Sequence, residues 1–193
     1  MTTTVVSTAP LAAEALRVNA RYVEEVVIGW NLCPWAARAW EGGSVARRVF
    51  LDATGDATAV ASVAAFIAET DARPEIEVGM AIFPRASVSL GAWERFAEQV
   101  RRSAGPFVVA AFHPDYRREG EPATNAAQLV SAIRRTPDPT LQFLRAARLA
   151  AIPADVSASV GRANFATVTD RTPAALDTLL ADIRRDRDAR YSG

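Results

Sequence analysis

A single histidine, His113, ends an apolar run and is followed by Pro114, Asp115 and Tyr116. Histidine is the side chain whose unperturbed pKa lies nearest neutrality, so it suits proton transfer at physiological pH. His113 is therefore a candidate general acid or base, with Asp115 as a second catalytic candidate beside it. The alternative is that the imidazole ring bonds to nearby groups and organises the turn.

Cys33 is the only cysteine, and it lies in the segment Asn31-Leu-Cys-Pro34. Because proline suits the first turn of a helix, we expect a short helix from Pro34 to Trp40 with Cys33 at its start. A helix amino terminus favours a thiolate, so Cys33 is a candidate nucleophile, although a free cysteine is more often a small buried apolar group. A thioredoxin-type redox turn is disfavoured, because Ala36 stands where its second cysteine would be.

Arginine supplies every basic side chain, because the chain contains no lysine. Catalysis through a lysine amine is therefore excluded. Arg85, which follows an apolar strand, and Arg135, which ends a helix, are candidate ligands for an anionic substrate. Tyr116 and Asn31 are further candidates for substrate binding. The sequence indicates no metal site and no cofactor, since it has one histidine, one cysteine and no glycine-rich phosphate loop.

The composition is that of an ordinary globular protein: 193 residues, of which 50% are apolar and 23% charged, with a formal net charge of zero. A balanced charge does not favour binding to nucleic acid or to an anionic membrane surface. The chain has no apolar stretch of membrane-spanning length, and its first residues lack the features of a signal peptide. These properties predict a cytoplasmic protein without an internal disulfide.

Apolar patterning predicts strands over residues 45–52, 75–83 and 107–113, separated by helices over 57–70 and 90–102. Strands and helices alternating at this spacing indicate parallel strands joined by crossover helices. An amphipathic helix precedes them, with apolar residues every three or four positions from Leu11 to Trp30. The expected fold class is α/β: a single-layer, mostly parallel or mixed sheet flanked by helices, with helical segments near both ends.

Helices are expected over 125–135 and 140–150, and a terminal helix is expected from Pro173 to about Arg187, capped by Thr172. Residues 153–172 are ambiguous, and 165–168 could form a short strand. We expect residues 1–9 to be a disordered tail and residues 10–193 to form a single domain.

Ligands of parallel sheets bind outside the carboxyl ends of the strands. In this chain those ends carry Asp52, Arg85 and His113. We therefore expect the functional site at this edge of the sheet. We also expect His113 and Arg135 to line one cleft, because the polar loop between them contains glycine and proline and can fold back.

Three segments together resemble a small bacterial family of single-domain proteins known as domain of unknown function 1415. They are residues 22–36 (YVEEVVIGWNLCPWA), residues 112–116 (FHPDY) and residues 135–145 (RTPDPTLQFLR), and residues 82–84 (IFP) form a weaker fourth. The resemblance implies no particular reaction. The positions it highlights are Asn31, Cys33, Pro34, His113, Pro114, Tyr116, Asn125, Arg135, Pro137 and Arg145.

The chain departs from the family pattern in the third segment, where Gln142 stands at the position of a second histidine. Two functions follow as hypotheses. The first is an enzyme for a small anionic substrate, with His113 as the acid or base. The second is a non-catalytic subunit, with a heteromeric complex, such as a biosynthetic assembly, and a homodimer as the alternatives. The second hypothesis predicts an exposed apolar patch, for which Trp35, Trp40 and Trp93 are the candidates.

Overall fold

The computed structural model describes residues 8–51, 57–116 and 133–191. These residues form four strands in one mixed sheet, with helices on both of its faces. The strands are β1 (Val45–Val49), β2 (Val78–Ile82), β3 (Phe107–Phe112) and β4 (Thr140–Arg145). The helices are α1 (Thr8–Arg21), a π-helix (Tyr22–Ile28), α2 (Ala36–Glu41), α3 (Ala57–Asp71), α4 (Leu90–Arg101), α5 (Ala146–Ala150), α6 (Ala154–Asp170) and α7 (Pro173–Tyr191). The expected α/β fold is confirmed.

The strands lie in the order β1-β2-β4-β3. The pair β1 and β2 is parallel, as expected, but β4 lies between β2 and β3 and runs antiparallel to both. The second and third predicted strands are therefore not neighbours. They still point in the same direction, so the carboxyl ends of β1, β2 and β3 share one edge of the sheet.

One assignment near the C-terminal part of the chain was wrong, and the structure decides another that the sequence left open. Residues 140–150, expected to be one helix, form β4 followed by the short helix α5. Leu141 and Phe143 alternate onto one face of the sheet and are fully buried there, and this two-residue period outweighs the helical appearance of the segment. Residues 165–168, considered as a strand, lie within α6.

The other assignments hold to within a few residues where the structure describes them. Ser89 caps α4 by accepting a hydrogen bond from the amide of Ala92, and Thr172 accepts one from the amide of Ala175 at the start of α7. The helix after Cys33 begins at Ala36, so the thiol lies in the turn before it. Of the tail expected over 1–9, Thr8 and Ala9 lie in α1, and residues 1–7 are outside the described residues. The strand end at Asp52 and most of the expected helix 125–135 also lie outside them.

One face of the sheet carries the larger core. Helices α3 and α4 cover it, and Phe83, Trp93 and Phe143 are fully buried there. Gly79 lies directly beneath Phe143, where a Cβ atom would be 1.9 Å from the ring carbon Cε2. Only glycine permits this close approach, so the Phe143 ring packs directly against the backbone of β2.

The opposite face is covered by α1, the π-helix and α7, whose buried residues include Val26 and Ile183, and Trp30 in the turn after the π-helix is buried with them. The π-helix continues α1 directly, and a Schellman cap closes its end. Asn31 adopts a left-handed φ of 50°, its amide donates to the carbonyl oxygen of Ile28, and the Leu32 amide donates to that of Val27. Within the described residues, no helix combines the length and apolar character needed to cross a bilayer.

Candidate functional site

The edge at the carboxyl ends of β1, β2 and β3 holds His113, which is only 3% exposed. Its Nε2 lies 3.0 Å from the carbonyl oxygen of Val88, and its Nδ1 accepts a hydrogen bond from the amide of Asp115 at 3.1 Å. A ring that accepts at Nδ1 and faces a carbonyl at Nε2 carries its proton on Nε2. Both ring nitrogens are therefore engaged with the backbone, which is the local, turn-organising arrangement.

The groups that follow His113 are engaged with neighbouring arginines. The Asp115 carboxylate pairs with Arg184 of α7 at 3.2 Å, and both side chains are exposed. The hydroxyl of Tyr116 accepts a hydrogen bond from Arg134 at 2.9 Å, and the same guanidinium lies over the tyrosine ring. These contacts tie the loop after β3 to α7 and to the segment before β4.

Arg135 lines a small cleft of about 150 Å³ between α7 and the turn before β4. Its guanidinium forms a salt bridge with Asp177 at 2.8 Å. Pro114 lines this cleft, whereas the His113 ring points to Val88 and Asp115 instead. The structure thus does not bring the His113 and Arg135 side chains into one cleft. Arg85 and Asn31 are exposed and line neither this cleft nor the larger cavity described below.

Sequence reasoning missed a buried ion pair at the same edge. The Asp138 carboxylate is 1% exposed and receives hydrogen bonds from Arg187 and from the Tyr191 hydroxyl, each at 2.6 Å. Burial raises the pKa of Asp138, and the positive charge of Arg187 opposes that rise. Arg187 also donates to the carbonyl oxygen of Pro84, so this pair anchors the end of α7 to two loops. No local pattern identifies it, because its partners are about fifty positions apart.

A larger cavity, of about 490 Å³, lies against the other face of the sheet, covered by the π-helix. Its floor is formed by side chains of β2 and β4, and its walls come from the π-helix, the turn around Cys33, and helices α2 and α5. The floor includes Met80, Gln142 and Leu144 of the sheet, and the walls include Tyr22, Cys33, Trp35 and Ala36. The lining is predominantly apolar, which is typical of sites for small organic molecules.

The mouth of this cavity carries charged side chains. Glu77, which precedes β2, pairs with Arg38 of α2 at 3.3 Å and with Arg148 of α5 at 3.0 Å. Both guanidiniums are largely exposed, whereas only 16% of the Glu77 side chain is. Two positive charges against one negative charge make the mouth attractive to an anionic group. Nothing in the local sequence singles out these residues, because three separate elements contribute them.

Two polar groups lie within the cavity. The Gln142 side-chain amide, on the floor, has no hydrogen-bond partner among the described residues. The Cys33 thiol, on the wall, is free and partly buried. Tyr22 is engaged differently, since its hydroxyl donates to the carbonyl oxygen of Ile133 and burial raises the pKa of the phenol. Among the described residues, no three or more His, Cys, Asp or Glu side chains form a metal-binding group.

A family model described as "Protein of unknown function (DUF1415)" matches residues 14–177. No curated protein and no solved structure matches the chain. The three segments that carried the resemblance in sequence all reach the large cavity. The first contributes Tyr22 and Cys33, the second Phe112, and the third Gln142 and Leu144.

Proposed function

We propose a ligand-binding function for this chain, which belongs to the DUF1415 family of proteins of unknown function. The ligand is a small organic anion with a largely apolar body, and it occupies the cavity between the π-helix and the sheet. The observation that carries this proposal is the convergence of the three resemblance segments on one apolar cavity of about 490 Å³. All three segments line this cavity. The small cleft beside Arg135 is lined by only two of them, residues 135–145 and Pro114 of residues 112–116.

The anionic part of the ligand is argued from the mouth. Arg38 and Arg148 are exposed and share one carboxylate, so each guanidinium retains donors for a second acid. A ligand carboxylate, phosphate or sulfate would sit there in water-accessible surroundings, which lowers the desolvation penalty of the charge. The apolar body would lie inward, against Met80 and Leu144.

Catalysis by His113 is not part of this proposal. An acid or base must be able to reach the substrate, and both nitrogens of this ring are engaged with the backbone of the protein. Turnover of an anionic substrate by His113 stays a prediction, as does the role of a non-catalytic subunit. Of the tryptophans expected in a partner-binding patch, Trp93 is buried in the core, while Trp35 and Trp40 are partly buried and line the cavity.

The test uses two fluorescent probes that differ in charge: 8-anilinonaphthalene-1-sulfonate, which is anionic, and N-phenyl-1-naphthylamine, its neutral counterpart. Ala36 lines the cavity, so Ala36→Phe should fill part of it and weaken both probes by about tenfold or more. Ala61→Phe, at an exposed position of α3, is the matched control and should bind both probes like the unmodified protein.

The charge requirement is tested at the mouth. Arg148→Gln should weaken the sulfonate probe several-fold and leave the neutral probe unchanged, because only the former gains from the guanidinium. Arg102→Gln, at an exposed arginine after α4, is the control. The proposal would be wrong if neither probe bound, or if Ala36→Phe bound both probes as tightly as Ala61→Phe does.

A further inference from the structure

Gln142 occupies a central position on the cavity floor. It lies in the middle of β4, opposite Met80 on β2 and Ala110 on β3. Directly opposite residues of adjacent strands point to the same face of a sheet, so both neighbours of the Gln142 amide are apolar. Gln142 is therefore a polar group set among apolar side chains, with the cavity above it.

The Gln142 amide offers one carbonyl acceptor and two N–H donors. None of them has a partner among the described residues. An occupant that fills the cavity displaces water from this amide. Removing a polar group from water without giving it a partner is unfavourable, so an occupant lacking a complementary group would bind less tightly.

We infer that Gln142 determines specificity at this site, and that the ligand presents to it an uncharged group with an adjacent donor and acceptor. A carboxamide or a lactam fits that description. This inference rests on the proposed function. A charged group is disfavoured at this position, because an amide does not neutralise it and the guanidiniums lie at the mouth.

The sheet also sets the length of the ligand. Met80, opposite Gln142, is three positions along the chain from Glu77 at the mouth. Extended residues advance by about 3.3 Å each, so the backbone positions of Glu77 and Met80 are about 10 Å apart, and the ligand spans a distance of that order between its acid and its uncharged group. The ligand class is therefore an elongated, largely apolar acid that carries an amide-like group at its far end.

A matched pair of naphthoates tests this inference by fluorescence titration. 6-Carbamoyl-2-naphthoate carries a carboxamide at its far end, and 6-isopropyl-2-naphthoate carries an apolar group of similar shape. The protein should bind the carboxamide about tenfold more tightly, which is the gain expected of one or two net hydrogen bonds. Gln142→Leu should abolish or reverse this preference, whereas Gln99→Leu, at an exposed position of α4, should retain it.

Gln142→Met provides a second variant of nearly unchanged shape, in case leucine disturbs the sheet, and thermal unfolding identifies variants that fold. Equal affinity of the protein for the two naphthoates would overturn the inference and leave the proposed function standing. The same holds if both Gln142 variants fold and keep the preference for the carboxamide. Failure of both naphthoates to bind, with Ala36→Phe and Ala61→Phe indistinguishable toward the two probes, would overturn the proposed function and this inference together.

Discussion

The Nε2 atom of His113 lies 3.0 Å from the carbonyl oxygen of Val88, which connects the end of β3 to the loop before α4. On the other side of the ring, Nδ1 accepts the amide hydrogen of Asp115. The imidazole thus joins the backbone at the end of β3 to the backbone of the loop before α4. His113 stands where the sequence suggests a catalytic group, and the contacts of its ring are those of a structural one.

Replacing His113 with leucine should lower the free energy of unfolding by about 1–3 kcal/mol, because it leaves a backbone carbonyl and an amide without their partner. Urea denaturation followed by circular dichroism measures this change. Probe binding in the distant cavity should survive in the folded variant. If His113→Leu were as stable as the unmodified protein, the structural interpretation of the ring would be wrong.

The ion pair of Asp138 and Arg187 makes a second stability prediction. Arg187→Ala should lower the free energy of unfolding by about 3–5 kcal/mol, because it leaves a buried carboxylate without its counter-ion. Adding Asp138→Asn should recover part of the loss, since the uncharged amide costs less to bury. Equal destabilisation by the single and double variants in urea would show that the charge of Asp138 is not the cause.

Two glycines should respond in opposite directions to alanine. Gly79→Ala should destabilise by about 1–3 kcal/mol, because its Cβ would collide with the buried Phe143 ring. Gly91→Ala, on the exposed side of α4, should stabilise by up to about 1 kcal/mol, because its Cβ would meet only the end of Arg95 and alanine favours helix. Thermal unfolding measures both. A Gly79→Ala protein with unchanged Tm would contradict the packing of Phe143 against β2.

A pH dependence is expected from Asp186, which joins α7 to α1. Hydrogen bonds from two arginines lower the pKa of this carboxyl to about 2 from its ordinary 3.8. The two bonds from Arg17 have the larger effect, and the bond from Arg21 adds to it. A depressed carboxyl pKa adds stability above the unfolded-state pKa, and the gain disappears as the pH falls through the folded-state pKa. Asp186→Asn should therefore cost about 1 kcal/mol at pH 6, and the difference should shrink as the pH falls below about 4 and vanish only below about pH 2.

That difference should also shrink in 1 M salt, because about a quarter of the Asp186 side chain is exposed and its ion pairs are screened. Asp170→Asn, at an exposed carboxylate of α6, serves as the control. A pH-independent difference between Asp186→Asn and the unmodified protein would contradict the assignment.

Cys33 allows an independent check on the cavity. Its thiol lines the wall, so an occupant should slow its alkylation by iodoacetamide. Saturating 8-anilinonaphthalene-1-sulfonate should reduce the rate several-fold, whereas a thiol moved to the exposed loop, in the double variant Cys33→Ser and Ser87→Cys, should react at an unchanged rate. If Cys33 were labelled equally fast with and without the probe, the probe would not bind in the cavity that Cys33 lines.

The sequence predicted best those features of the fold that depend on residues close together in the chain. The stripe Trp93, Phe96 and Val100 predicts the buried face of α4, and all three side chains are buried. The parallel pairing of β1 with β2 follows from their short helical crossover. The resemblance carried by residues 22–36, 112–116 and 135–145 is confirmed by the family match. Periodicity, caps and crossover lengths depend on residues close in the chain, so they can be recognised without the fold.

Only the tertiary structure decided which of these segments meet. The insertion of β4 between β2 and β3 depends on long-range pairing, and it places Gln142 on the floor of the large cavity. The mouth joins Arg38, Glu77 and Arg148 from three elements, and Asp138 meets Arg187 across 49 positions. Such contacts depend on the way that whole faces of helices and sheets pack together. For this reason the residue types suggested a site around His113, whereas the packing formed the cavity of about 490 Å³ between the π-helix and the sheet.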